Sequence, residues 1–452
     1  MSKQTVLLGG AVVLISLYVA GTPAAAVVTV SQPGTSGRPY VSDEPNEAPP
    51  EPVRYCPNDI IVKFSKDLDD AGRGMILDKY QCSILRTCEE GSLHRVGIPS
   101  GQRPQDMVTL FQTEENVDYA ELNYYASIYF VPDDPYYSYQ WNLDNSVTGG
   151  IHTERAWDIE TGDPKVIIAV LDTGVAYENY GAFRQAPDLA GTAFVPGYDF
   201  VNDTAHPNDD QGHGTHVTGT IAGSANNHLG VAGVAFRCSV MPVKVLDDDG
   251  LGDQFTIAQG IYFAANHGAK VINMGFGSPQ GSTTLEQAVA FAYQKGVTIV
   301  CAAGNEYQKG NRPSYPAAYD DYCLAVAATR YDGTRSHYSN TGSYIDIAAP
   351  GGDLLADQNR DGYPDGIVQQ TFSIEPDVFS YFFFQGTSMA APHVSGVAGL
   401  LISKGVTRPD EVRAAMEMTA TDKGEPGWDP AYGWGIVNAF AALTYQPLPG
   451  SP

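Results

Sequence analysis

Six strand-like runs dominate residues 165–350 of the sequence: 165–174 (KVIIAVLDTG), 240–246 (VMPVKVL), 270–277 (KVINMGFG), 296–305 (GVTIVCAAGN), 323–329 (CLAVAAT) and 344–350 (YIDIAAP). A strand with one wet face alternates apolar and polar residues; these runs are largely continuous in apolar character. Helical segments at 214–223, 255–268 and 285–296 fall between the first four of them. Strands buried on both faces and joined through helices are the unit of a parallel sheet with helices on both sides. The region is therefore expected to be α/β, with a mostly parallel central sheet.

The chain ahead of it has a different texture. Lys3 precedes the apolar run Val6–Ala20, followed by GTPAAA with Ala24-Ala25-Ala26 at a small-residue cleavage position. The run has 15 residues, short of the roughly 20 that cross a bilayer. Residues 1–26 read as a signal peptide cut after Ala26, with an uncleaved anchor as the alternative. Residues 27–54 are rich in Pro, Ser, Gly and acidic residues, a linker composition. Residues 55–129 alternate strand, helix, strand, helix, strand, which points to a small α+β sandwich. The remainder, 130–452, is the α/β region.

Composition narrows the function. The 452 residues carry a formal charge of −26, which excludes electrostatic nucleic-acid binding as the main activity and disfavours anionic lipid. Six cysteines split into Cys56, Cys82 and Cys88 early, and Cys238, Cys301 and Cys323 late. With three in each half, at least one thiol per half is free unless the halves crosslink. No pairing follows from the sequence.

Three motifs carry chemistry. AVLDTGVA sets Asp172 at the end of a buried strand, QGHGTHVTGTIAG sets His213 at a helix start, and GTSMAAPHVSGVAGLL sets Ser388 at the start of a long apolar helix. In open α/β sheets such groups gather beyond the carboxyl ends of the strands. A serine hydroxyl needs an adjacent base to become a nucleophile, and an imidazole needs a buried carboxylate to fix its tautomer. CAAGNEY adds Asn305, whose amide can donate to an oxyanion. His213 must be neutral to accept a proton, so activity is expected to rise through roughly pH 6–7. His216 and His393 read as packed histidines, not as second bases.

LDTGVA, HGTHVTG, AAGN and GTSMAAPHVSG, in this order, resemble the signature segments of the subtilisin-like serine proteases, the subtilases. The resemblance covers about residues 132–445. It implies a three-layer α/β fold and a serine endopeptidase with an Asp172–His213–Ser388 triad acting through an acyl-enzyme. The protein would be a secreted zymogen and a monomer, with proteins or peptides as substrates and its own propeptide as intramolecular inhibitor. Residues 55–129 resemble the family's propeptides, and the alignment places self-cleavage between Tyr129 and Phe130. Pocket walls, by resemblance, are Gly275-Phe276-Gly277 and Ala302-Ala303-Gly304, with Ser314 near the base and Glu306 at the rim. They imply broad cleavage favouring large apolar or aromatic residues, with Glu306 tolerating a basic one.

Calcium is the one cofactor expected, and no organic cofactor is. ANNHLGVAGVA resembles the family's strong calcium loop. That implies the side chain of Asn227, carbonyls of Ala225, Leu229 and Val231, and the carboxylates of Asp134 and Asp188 as ligands. Oxygen-only ligands suit a hard cation. A second loop is visible without the resemblance: in DQNRDGYPDG, Asp357, Asn359, Asp361 and Asp365 recur near-alternately around Gly362. This matches the first half of an EF-hand loop, but Val368 stands where the closing Glu belongs. Calcium site and solvated acidic turn both remain open there. Two rivals to a peptidase are a catalytically silent protein that uses the same fold to bind peptides or bridge calcium, and a hydrolase of esters or lipids, which shares the nucleophile. The G-x-S-x-G elbow of esterases is absent around Ser388.

Overall fold

The computed structural model describes residues 55–88, 92–124, 130–144 and 146–446, and the backbone of strands Lys3–Leu8, Ala11–Leu17 and Ala26–Thr29. The chain forms two compact units, one of Val41–Ile128 and one of Tyr129–Pro452 with Met1–Tyr40. Tyr129 and the side chain of Ala26 lie outside the described residues.

The smaller unit runs strand Tyr55–Phe64, helix Asp70–Lys79, strands Ser83–Cys88 and Leu93–Gly97, helix Pro104–Gln112 and strand Val117–Tyr124. All its strand pairs are antiparallel. Alternate residues Ile60, Val62 and Phe64 face the helices and pack with Val96, Met107 and Phe111. Each such side chain contributes roughly 1.5–3 kcal/mol by leaving water. The edge strand Ser83–Cys88 was not expected from the sequence. Every residue of it is exposed, so it carries no apolar alternation to read.

In the larger unit all six expected strands form. With the unexpected short strand Tyr198–Asp199 added at one edge, the order is Tyr198–Asp199, Ser239–Lys244, Ile167–Asp172, Val271–Met274, Thr298–Ala302, Cys323–Thr329, Ile347–Pro350, each pair parallel. Helices His213–Ala222, Gln254–Asn266 and Thr283–Gln294 fill the connections. Helix Thr387–Ser403 is buried almost all round, from Thr387 through Ile402 apart from Ser388. Its sequence is apolar on every face for that reason.

The larger unit also holds a ribbon that the sequence did not announce. Ile367–Thr371 and Ser380–Phe384 form an antiparallel ribbon just ahead of Ser388. His216 ties it to the helix of His213: its Nε2 lies 3.0 Å from Ile367 O and 3.1 Å from Phe382 O, and its ring stacks on Phe384. Burial lowers the His216 pKa to about 3, so it is a neutral packing residue. His393 is likewise buried, bonded to Asn142 and Met389 O. Cys56, Cys82, Cys238, Cys301 and Cys323 are buried free thiols.

Candidate active site

Asp172 ends its strand and is fully buried. Its Oδ1 accepts from Thr173 N at 2.8 Å and lies 2.7 Å from His213 Nδ1. That contact requires the helix of His213 to lie against the strand, and Gly214 permits it: a Cβ there would sit 2.1 Å from Gly174 O. Gly275, one residue past the end of strand Val271–Met274, marks where three side chains meet. A Cβ built on it would lie 3.2 Å from His213 Cε1, 3.3 Å from Asp172 Oδ2 and 3.6 Å from Ser388 Cβ. The structure therefore brings together the carboxylate, imidazole and hydroxyl picked from the sequence.

Asn305 follows strand Thr298–Ala302. Its Oδ1 accepts from Thr387 N at 2.9 Å and Thr387 Oγ1 at 3.0 Å, which turns Nδ2 the other way. A Cβ built on Gly386 would lie 3.5 Å from Asn305 Nδ2, 3.6 Å from Ser388 N and 3.8 Å from Ser388 Oγ. Ser388 N belongs to the first turn of a helix, where amides lack intrahelical acceptors and the dipole is positive. Two N–H donors thus flank the hydroxyl, the arrangement that stabilises an oxyanion.

Behind the pair lies a network the sequence reading missed. Asp209, 1% exposed, accepts from Thr173 Oγ1 (2.8 Å), Gln211 N (3.0 Å), Gly212 N (2.9 Å), Thr215 N (2.9 Å) and Thr215 Oγ1 (2.6 Å). It clamps the start of the His213 helix to the residue after Asp172. The buried Lys244 donates to Thr173 O, Leu246 O and Asp210. The signal was present in NDDQGHG, an acid four residues ahead of a helix-starting His. Burial opposes the His213 imidazolium, but the charge and hydrogen bond of Asp172 and the charge of Asp209 outweigh it. The His213 pKa is raised, so the base loses its proton above the ordinary histidine range of about 6.5.

Beside this centre a cleft of about 210 Å³ is lined by Gly277, Ser278, Pro279, Glu306, Lys309, Arg312, Pro313 and Ser314. Of the expected pocket residues, Gly277, Glu306 and Ser314 line it. A Cβ on Gly304 would lie 2.7 Å from Glu306 Oε2, and one on Gly277 only 2.0 Å from Ser314 Oγ. Gly275 sits at the triad, and the side chains of Ala302 and Ala303 are in the core. Phe276 is partly buried against that core. Lys309 and Arg312 were not expected.

The loop 225–231 closes on Asp134 and Asp188, both buried. Asp134 accepts from Asn226 N and Asn227 N, and Asp188 from Asn227 Nδ2 and Val231 N. Burial and the charge of Asp134 push Asp188 up to about 7 despite those hydrogen bonds. Two buried carboxylates whose charges repel each other fit a divalent cation, which would remove the repulsion. In the other loop Asp357 and Asp361 turn to the amides of Gly362 and Tyr363, and Asn359 to that of Asp361. Asp365 is 2% exposed, and its Oδ1 has no hydrogen-bond partner. Among the described residues no three His, Cys, Asp or Glu side chains converge as a metal site, so any ion here draws on amide and carbonyl oxygens too.

Comparison with known proteins agrees with this geometry. The profile of the Subtilase family matches residues 163–435, and that of the fervidolysin N-terminal prodomain matches residues 42–123. The thermophilic serine proteinase of Bacillus sp. (strain AK1) is 34% identical over 397 residues, 86% of this chain and 88% of that protein. Thermitase of Thermoactinomyces vulgaris is 40% identical over 317 residues, 70% of this chain and 100% of it. A solved protease of Pseudoalteromonas arctica superposes with a TM-score of 0.60 at 34% identity, covering 70% of this chain and 99% of that one. Fold, convergent side chains and relatives lead to one conclusion: the chain belongs to the subtilase family, and is a serine peptidase preceded by a fervidolysin-like prodomain.

Proposed function

We propose that this peptidase is an exported, self-processing zymogen that hydrolyses internal peptide bonds through an acyl-enzyme on Ser388. The observation that carries the reading is the convergence of Asp172, His213 and Ser388 beside Gly275, with Asn305 Nδ2 and Ser388 N flanking the hydroxyl. Ser388 Oγ attacks the scissile carbonyl while His213 Nε2 takes its proton, and Asp172 holds the other imidazole nitrogen and stabilises the imidazolium. Asn305 and Ser388 N donate to the oxyanion. His213 then protonates the leaving amine, and a water activated by the same base releases the acyl group. The esterase rival lacks its elbow motif, and a silent binding protein would have no use for a free amide donor beside a serine.

Residues 1–26 act as the export signal in this reading, and the segment up to Tyr129 as prodomain. The prodomain match begins at residue 42, inside the stretch read as linker, so the prodomain takes in part of it. Phe130, the proposed new N-terminal residue, stacks against Phe236 and meets Trp157 edge-on at ring distances of 5.9 and 5.7 Å. That contact anchors the released end. Expression of residues 27–452 is expected to yield a product whose N-terminal sequencing begins at Phe130. The Ser388→Ala chain should keep its prodomain attached. A wild-type N-terminus far from Phe130 refutes the cut.

Calcium is proposed for the Asp134–Asp188–loop 225–231 site, where it would brace the chain following the His213 helix. It is proposed also for the Asp357–Asp365 loop, where the orphaned Asp365 Oδ1 supports it. With calcium at 1,000 times its Kd, binding contributes about 4 kcal/mol to stability. Excess chelator is therefore expected to lower the melting midpoint by several degrees, and Asp188→Asn to remove most of that dependence. An unchanged midpoint would remove the proposal.

A further inference from the structure

The cleft beside Ser388 carries charge that the family resemblance does not explain. Its wall from Glu306 to Ser314 is a tightly held loop. Lys309 N and Asn311 N donate to Glu306 O, Asn340 Nδ2 donates to Ala303 O, Arg312 O and Glu306 Oε2, and Asn311 and Thr341 bond each other in both directions. The Glu306 carboxylate is already engaged, since Oε2 also accepts Asn305 N at 2.9 Å. Lys309 and Arg312 are exposed, line the same cleft, and make no ion pair among the described residues. In a chain of charge −26, where the acidic side chains outnumber the basic ones 52 to 26, two unpaired cations on one cleft wall call for a ligand.

We propose that Lys309 and Arg312 are specificity-determining residues that make the cleft accept an acidic side chain at the residue before the scissile bond, and disfavour a basic one. The inference rests on the reading of this cleft as the main side-chain pocket of the peptidase. Its physics is direct. The floor is short, because Gly277 and the Ser314 hydroxyl approach closely, so a side chain entering between them holds its tip near the wall. A carboxylate there meets two cations and one carboxylate whose Oε2 already accepts two N–H donors. An ammonium meets the same cations and is repelled; the engaged Glu306 alone offers it little. The expected tolerance of a basic residue through Glu306 is thus reversed, while apolar and aromatic side chains still use the glycine-lined entrance.

The test compares kcat/KM of the mature enzyme on three peptide anilides that differ only in Phe, Glu or Lys before the scissile bond. The wild type is expected to prefer Glu over Lys by about tenfold or more. The double variant Lys309→Ala/Arg312→Ala should lower that ratio by about tenfold, each single variant part of the way. Raising the salt to 1 M should lower it in the wild type, since screening then acts over about 3 Å. A wild-type preference for Lys, or a ratio the double variant leaves in place, overturns the inference. Failure of the wild type to hydrolyse any of the three, with no fluorophosphonate labelling, overturns instead the functional reading beneath it.

Discussion

Replacing Ser388 with alanine is expected to lower turnover by about 10⁶, the size known for loss of the nucleophile in subtilisin. It should also abolish covalent labelling by a fluorophosphonate. The reasoning starts from the free hydroxyl. Without it His213 has no group to deprotonate, and Asn305 Nδ2 and Ser388 N have no tetrahedral centre to hold. What remains is water attack on a carbonyl polarised by two donors, which is worth roughly 10³–10⁴ over solution. The fold should survive. Residue 388 is a partly exposed position of a largely buried helix, and alanine is the best helix former. Melting at the wild-type temperature with loss of labelling is the expected pair of results; labelling retained in the variant would place the nucleophile elsewhere.

Asp172→Asn carries the second largest expected effect, a fall in kcat of about 10⁴, as found for the same exchange in a serine protease of unrelated fold. The amide keeps the shape but no longer stabilises the imidazolium, and it permits the wrong tautomer at the 2.7 Å contact with His213 Nδ1. The pH profile gives a second readout. In the wild type His213 is raised, because Asp172 and Asp209 outweigh burial. Its proton must leave before it can act as base, so the acid limb of kcat/KM is expected above the ordinary histidine value. That is later than the pH 6–7 rise read from an unperturbed imidazole. In Asp172→Asn the largest raising influence is gone while burial persists, so the limb of the residual activity should move to lower pH. A limb that stays in place would mean His213 does not titrate with this carboxylate.

How much of this was legible in the sequence follows from what buries each residue. Parallel strands covered on both faces spell themselves out as apolar runs, so all six appeared, with Asp172 and Asn305 at or just beyond their ends, while Ser388 showed at the start of a long apolar helix. Ser83–Cys88 was invisible because an exposed edge strand has no face to advertise. The ribbon Ile367–Thr371 and Ser380–Phe384 was hidden because it is held by His216, 151 and 166 residues away in sequence, a contact only the fold creates. Asp209 sat in plain view but its role depends on five donors gathered from four residues. Lys309 and Arg312 lie in a loop without periodicity, and their charge acquires meaning only once the cleft is closed around them.

The helix bearing Ser388 runs through the core of the larger unit, walled by the sheet on its way. Its nucleophile cannot come loose while the interior stays intact, and the interior cannot open without dislodging it. Heat should therefore extinguish catalysis and melt the molecule in a single event, leaving no half-unfolded form that still digests its neighbours.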